Sequence, residues 1–122
     1  ASRTEEVLAS WRSGIDAIAA CPNVVVKLGG LGMPRCGFDW HLRDKPIGSE
    51  ELAGEMAPFL TYCIERFGSE RSMFESNFPV DKVSFSDNVL YNAFKRFSSN
   101  YTAAERSAMP HRAAERVYRI TP

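Results

Sequence analysis

Val24-Val25-Val26-Lys27-Leu28 is the stretch that most restricts what this chain can fold into. It is rich in β-branched residues and lacks the polar alternation of a strand with one wet face. A strand of this kind is buried on both sides, as in a parallel sheet. A second short apolar run, about Ser72 to Asn77, climbs through Met73-Phe74 into Glu75-Ser76-Asn77, and a loop from Phe78 to Ser86 follows. Helical patterns lie before, between and after the two runs. Buried strands alternating with helices imply parallel pairing through right-handed crossovers. Two strands are too few to bury both faces of such a sheet. Either further strands come from elsewhere or association covers the apolar surface.

The helices are legible from their caps and spacing. Ser2-Arg3-Thr4-Glu5 fits a capping box, and Val7, Leu8, Trp11, Ile15 and Ile18 recur at helical intervals, which predicts a helix from about Arg3 to Ala20. Gly29, Gly30 and Gly32 follow the first strand, where the backbone turns sharply or approaches something closely. Leu31 to Gly48 is a long loop whose Phe38 and Trp40 argue against disorder, and it is expected to fold over a pocket. Ser49 is the expected cap of a second helix that Gly68 ends, with Pro58 expected to kink or split it. A third helix is expected from about Asp87 to Phe97. Thr102 opens a short one ending near Met109, and Pro110 suits the first turn of a last helix turning Ala113, Ala114, Val117 and Tyr118 inward.

Composition removes several function classes. Lys and Arg number 15 and Asp and Glu 15, so the formal net charge is zero, with no general footprint for nucleic acid or for an anionic membrane. Arg112, Arg116 and Arg119 form the nearest thing to a basic stripe and read as a solvated helix face. There is neither an apolar run of ~18 residues nor a basic-then-apolar leader, so no membrane span or signal peptide is expected. Cys21, Cys36 and Cys63 are odd in number and far apart, which points to a reducing, cytoplasmic compartment.

The candidate chemistry gathers at the strand ends. Alternation puts Met73, Glu75 and Asn77 on one face, and Lys27 on one face with Gly29. A buried carboxylate and ammonium on neighbouring strands are tolerable as a pair, so Lys27 and Glu75 are expected to meet; the bland reading is that both tips reach solvent. Asp81 lies on the same rim as Asn77, either as a turn cap or as a group that orients water or a substrate hydroxyl. His41 and His111 are the only histidines. No HxH, HExxH or close Cys/His set occurs, so no complete metal site is expected in this chain. Phosphate-loop and nucleophile-elbow motifs are absent as well.

Three stretches together resemble the amidohydrolase-related family of TIM-barrel hydrolases, which includes lactonases of sugar acids and dicarboxylates. They are Pro22 to Gly32, Phe67 to Val80, and Ala113 to Arg119. The family's late strands read PNVxKLSGL and RxMFGSDWPV, and its last helix reads NAxRxY. The resemblance implies the C-terminal part of a (β/α)8 barrel, incomplete as a barrel, as one segment over residues 1–122. The two strands would be barrel strands seven and eight, with the site at their carboxyl ends. It also implies that the metal-binding histidines lie on strands this chain lacks, and that a divalent metal such as zinc is a possible cofactor of the full barrel.

Two departures bear on the chemistry. The family's strand-eight aspartate, a metal ligand or proton-transfer base, falls on Asn77, and an amide does not serve as a general base. The usual glycine falls on Glu75. Either Glu75 or Asp81 could supply the carboxylate, or the usual metal has been lost. The expected function is water attack on a lactone or related small carboxylate substrate, with Asn77, Glu75 and Asp81 catalytic and Trp40, His41 and Arg43 contacting substrate. Arg43 is chosen because its planar fork suits a carboxylate. The alternative is a truncated, inactive barrel piece that works as an oligomer or interaction module. Expected partners are the substrate and either a second copy or the missing barrel half, with no nucleic acid and no membrane.

Overall fold

The computed structural model describes residues 2–121. Helix α1 (Arg3–Ala19) opens the chain, strand β1 (Val26–Leu28) follows, then α2 (Ser49–Phe67), β2 (Ser72–Phe74), α3 (Asp87–Ser98), α4 (Ala103–Ser107) and α5 (Ala113–Tyr118). The strands pair in parallel with Val26 opposite Ser72, Lys27 opposite Met73 and Leu28 opposite Phe74. They form a two-stranded sheet and no closed barrel. Each strand therefore keeps one edge without a strand partner among the described residues. No described helix is long and apolar enough to cross a membrane.

Both strands are shorter than expected, for local reasons. Val24 spends its backbone elsewhere: its N–H donates to the Cys21 carbonyl, and its own carbonyl accepts from Arg71 Nη1. On β2, the Glu75 N–H still donates to the Leu28 carbonyl at 3.2 Å. Beyond that point β1 veers off at Gly30, whose φ of +76° only glycine adopts freely, so Ser76 and Asn77 have no strand to pair with.

Arg71 holds the two crossover ends together. Its guanidinium donates to the carbonyls of Ala19, Cys21, Val24 and Phe67 at 3.0–3.1 Å. Helix α1 has no basic residue in its last turn, and Arg71 supplies that charge from across the fold.

The helices form the main core. Phe74 stacks on Phe94 of α3 with ring centroids 4.5 Å apart, so one face of β2 packs on that helix. Leu52, Met56, Leu60, Leu90, Phe94 and Met109 are buried in one cluster with Leu28. The capping boxes at Ser2 and Thr102 form as expected. Ser49 is not a cap: Gly48 holds that position, and Ser49 Oγ accepts from Arg96 Nε. Helix α2 runs unbroken through Pro58. Gly54, four residues earlier, is exposed, so the carbonyl that Pro58 cannot serve is left to water.

The C-terminal helices differ most from expectation. A π turn, Ala108–Arg112, joins α4 to α5, and Pro110 lies inside it rather than at a helix start. The wider turn shifts the helical phase. Ala108, Met109 and Ala113 are buried, Ala114 is half-buried, and Val117 and Tyr118 stay exposed instead of turning inward.

Candidate active site at the strand ends

Glu75 is the first residue past β2, and it lies across Gly29. A Cβ at Gly29 would come within 2.5 Å of both Glu75 Cγ and the Glu75 carbonyl oxygen. The glycine therefore gives the glutamate room to lie over the neighbouring strand. There it meets Lys27, with Nζ 2.5 Å from Oε2. The expected pair forms, but it is open on one side: the lysine side chain is 50 % exposed and the glutamate 26 %. The carboxylate holds the ammonium pKa above its usual value, through the hydrogen bond first and the charge second.

Asp81 is the opposite case. It lies in a 3-10 turn, Val80–Val83, with 0 % of its surface exposed. The Asn77 carbonyl accepts from the Asp81 N–H at 3.2 Å, and Asn77 Nδ2 donates to Asp81 Oδ1 at 3.3 Å. Oδ2 has no hydrogen-bond partner among the described residues. Gly32 walls in this carboxylate: a Cβ there would meet Asp81 Cγ and Oδ1 at 2.9 Å and Phe85 Cζ at 2.8 Å. Ser84 Oγ fastens that wall by donating to the Gly32 carbonyl at 2.5 Å. Burial pushes the Asp81 pKa above the ordinary aspartate value; the Asn77 hydrogen bond opposes the shift and the Glu75 charge adds to it.

Asn77 thus stands between an open carboxylate and a sealed one. Ser76, on the other face, donates from Oγ to Asp87 Oδ1 at 3.0 Å and accepts from the Phe78 N–H, fixing the strand end to the first turn of α3. Sequence reasoning picked out the glycines but missed Gly32 and Ser84 as the housing of Asp81. Sequence patterns do not link residues 52 positions apart.

The loop after β1 lines a cleft of its own, whose walls do not include Glu75, Asn77 or Asp81. Trp40, His41 and Arg43 share a cleft of about 420 Å³ with Lys82, Ser84 and Phe85. The loop folds over as expected, yet two of its three singled-out residues hold it in place. Trp40 is buried, stacks on Phe38 with centroids 4.3 Å apart, and donates its indole N–H to Glu55. Arg43 pairs with Glu51 at 2.7 Å and Glu55 at 3.3 Å. His41 is half-buried on the cleft wall. His111 is exposed on the π turn beside Glu115, 3.3 Å from Nδ1 to Oε1.

The donor set does not make a metal centre by itself. No three His, Cys, Asp or Glu side chains converge among the described residues. Glu75 is already paired with Lys27, the unpartnered Asp81 Oδ2 is sealed, and Asn77 offers only a neutral amide.

The family model described as amidohydrolase matches residues 1–120. The chain belongs to the amidohydrolase family. It is 36% identical over 110 residues to the y4mH protein of Sinorhizobium fredii, covering 90% of this chain and 33% of that protein. It is 32% identical over 119 residues to an L-fucono-1,5-lactonase of Burkholderia multivorans, covering 97% of this chain and 38% of the lactonase. Two crystal structures of an amidohydrolase from Burkholderia multivorans, one with bound HEPES and one with bound zinc, superpose with TM-scores of 0.81 and 0.80 at 30% identity. They cover 96% and 98% of this chain but 39% and 40% of theirs. The chain thus spans a third to two-fifths of the length of the relatives it matches, and its two parallel strands with flanking helices are the C-terminal part of a (β/α)8 barrel.

Proposed function

We propose that this amidohydrolase segment supplies part of the active site of a lactone hydrolase, with β1 and β2 as barrel strands seven and eight. The observation that carries the reading is Glu75, paired with the Lys27 ammonium at a strand end, two residues before Asn77. Glu75 accepts the proton of a water whose oxygen attacks the lactone carbonyl. The ring C–O bond then breaks, and the proton passes from Glu75 to the leaving alkoxide, giving a hydroxy acid. Asn77 orients the water. Asp81 is sealed behind it, away from the substrate. The cleft beside the cluster carries His41 and the cationic Lys82, which suits a substrate that gains a carboxylate as it reacts. Similarity to a sugar lactonase supports the substrate class.

The unpaired edges of the two strands call for further strands, from the rest of a barrel or from a second copy. Free thiols at Cys21, Cys36 and Cys63 suit a reducing, cytoplasmic compartment. The test is hydrolysis of a lactone panel by the protein that carries this segment, followed by acid release, with metal analysis alongside. Glu75→Gln is expected to lower kcat by roughly 10²–10⁴-fold. A Glu75→Gln protein as active as the parent, or no turnover of any lactone, would overturn the reading.

A further inference from the structure

The Asn77 amide has a defined orientation. Asn77 Nδ2 donates to Asp81 Oδ1 at 3.3 Å, and that oxygen accepts when the carboxyl is ionised or carries its proton on Oδ2. An amide is planar and its two heteroatoms diverge. With Nδ2 on Asp81, Oδ1 must point elsewhere. Asn77 Oδ1 has no hydrogen-bond partner among the described residues, and it is not among the buried unpartnered atoms, of which Asp81 Oδ2 is the only one. It is therefore open to solvent. Asp81 itself has no solvent access and does not line the cleft.

We propose that Asp81 is a positioning residue, which locks the Asn77 side chain so that its carbonyl oxygen faces the site as a hydrogen-bond acceptor for the attacking water. This rests on the hydrolytic reading above. In that arrangement the water gives one hydrogen to Glu75 and the other to Asn77 Oδ1, which turns its lone pair toward the carbonyl carbon. The lock explains why a carboxylate is buried without a cation. Its task is to hold an amide, and the walls that hold it in turn are Gly32, Phe85 and the Ser84 hydroxyl.

The proposal separates from the alternative in which Asp81 moves the proton. Asp81→Asn keeps an acceptor oxygen for Asn77 Nδ2 but cannot act as a base. Asp81→Leu keeps the branched shape in a larger side chain and loses the acceptor. A positioning role predicts kcat within about 3-fold of the parent for Asp81→Asn and roughly 10²-fold lower for Asp81→Leu, with KM within about 2-fold in both. Asn77→Leu is expected to lose as much as Asp81→Leu, and the double variant no more than either, because both remove one arrangement. Gly32→Ala presses a methyl into the same carboxylate and serves where Asp81→Leu does not fold; it too should lower kcat at unchanged KM. An Asp81→Asn protein as inactive as Asp81→Leu, or kcat untouched in Asp81→Leu, overturns the proposal.

The lock is also read without turnover. In ¹⁵N-labelled protein the Asn77 side-chain amide, assigned by its loss in Asn77→Leu, should show one slowly exchanging, shifted proton. That signature should persist in Asp81→Asn and vanish in Asp81→Leu or Gly32→Ala. An Asn77 amide unchanged by these last two variants overturns the lock, whereas a lock that stands in a protein inert toward every lactone counts against the hydrolytic reading alone.

Discussion

Two carboxylates six residues apart meet opposite fates. Glu75 stays at the mouth, with a quarter of its side chain exposed and a lysine within 2.5 Å. Asp81 has no exposure and, among the described residues, no paired cation and one oxygen without a partner. The first is the cheap way to keep a charge near a site, since solvent and counter-charge share the cost. The second is the expensive way, because desolvation favours the neutral acid and only Asn77 opposes it. In the proposed reading the sealed carboxylate serves through its geometry and the open one through its reactivity.

The comparison can be broken at each end, and the largest effect is expected at the mouth. Gly29→Ala forces a Cβ onto the Glu75 side chain and carbonyl, both 2.5 Å away. The backbone carbonyl cannot rotate aside, so the strand ends must part. Expected are a loss of about 1–3 kcal/mol, measured by denaturant unfolding, and a loss of turnover close to that of Glu75→Gln. If Gly29→Ala retained full activity, Glu75 would not need its place across β1.

Next is the sealed end. Asp81→Asn removes a buried ionisable group and should stabilise the protein, on the order of 1 kcal/mol, at pH values where the parent carboxyl is charged. The sign follows from linkage. The folded pKa of Asp81 is raised above its unfolded value, so the fold binds the proton more tightly than the unfolded chain does. Its stability is greatest below the ordinary aspartate pKa and declines as pH rises through the raised one. The difference between Asp81→Asn and the parent should therefore be smallest in acid and grow to a plateau toward neutrality. Thermal melts of both proteins across that range check it; a difference that grows toward acid would mean that Asp81 is stabilised as the anion.

The smallest stability effect belongs to Lys27→Met. The pair it breaks is half open to water, so the expected cost is below about 1 kcal/mol, and less in high salt. The larger consequence is for the reaction. Without the ammonium to hold it across β1, Glu75 loses its fixed place, and kcat is expected to fall. A kcat unchanged in Lys27→Met would show that Glu75 works without the lysine.

Much of this was readable in the chain. The β-branched run at Val24 to Leu28 and the apolar Met73-Phe74 announced parallel strands, and the register duly places Lys27 beside Met73, within reach of Glu75. Helices α1 and α3 follow their caps to within a residue at either end. What failed to be legible has a common cause. The true ends of β1 and β2 depend on where Arg71 takes the Val24 carbonyl and where Gly30 turns the chain. The phase of α5 depends on a π turn with no sequence signature. Trp40 and Arg43 look like binding residues because aromatic and guanidinium groups in a loop invite that reading. Glu51 and Glu55, a helix away, claim them instead.

The sequence by itself determined the family, the parallel pairing and the presence of an amide and two carboxylates after β2, because those follow from local pattern and from residue identity. Only the tertiary structure decided which carboxylate is open and which is sealed. That choice is made by Gly29 and Gly32 approaching from the other strand's loop, at distances where a single methyl would not fit. Burial is a property of what packs against a residue, and here the packing partner of each carboxylate lies some 46–49 positions away in the chain.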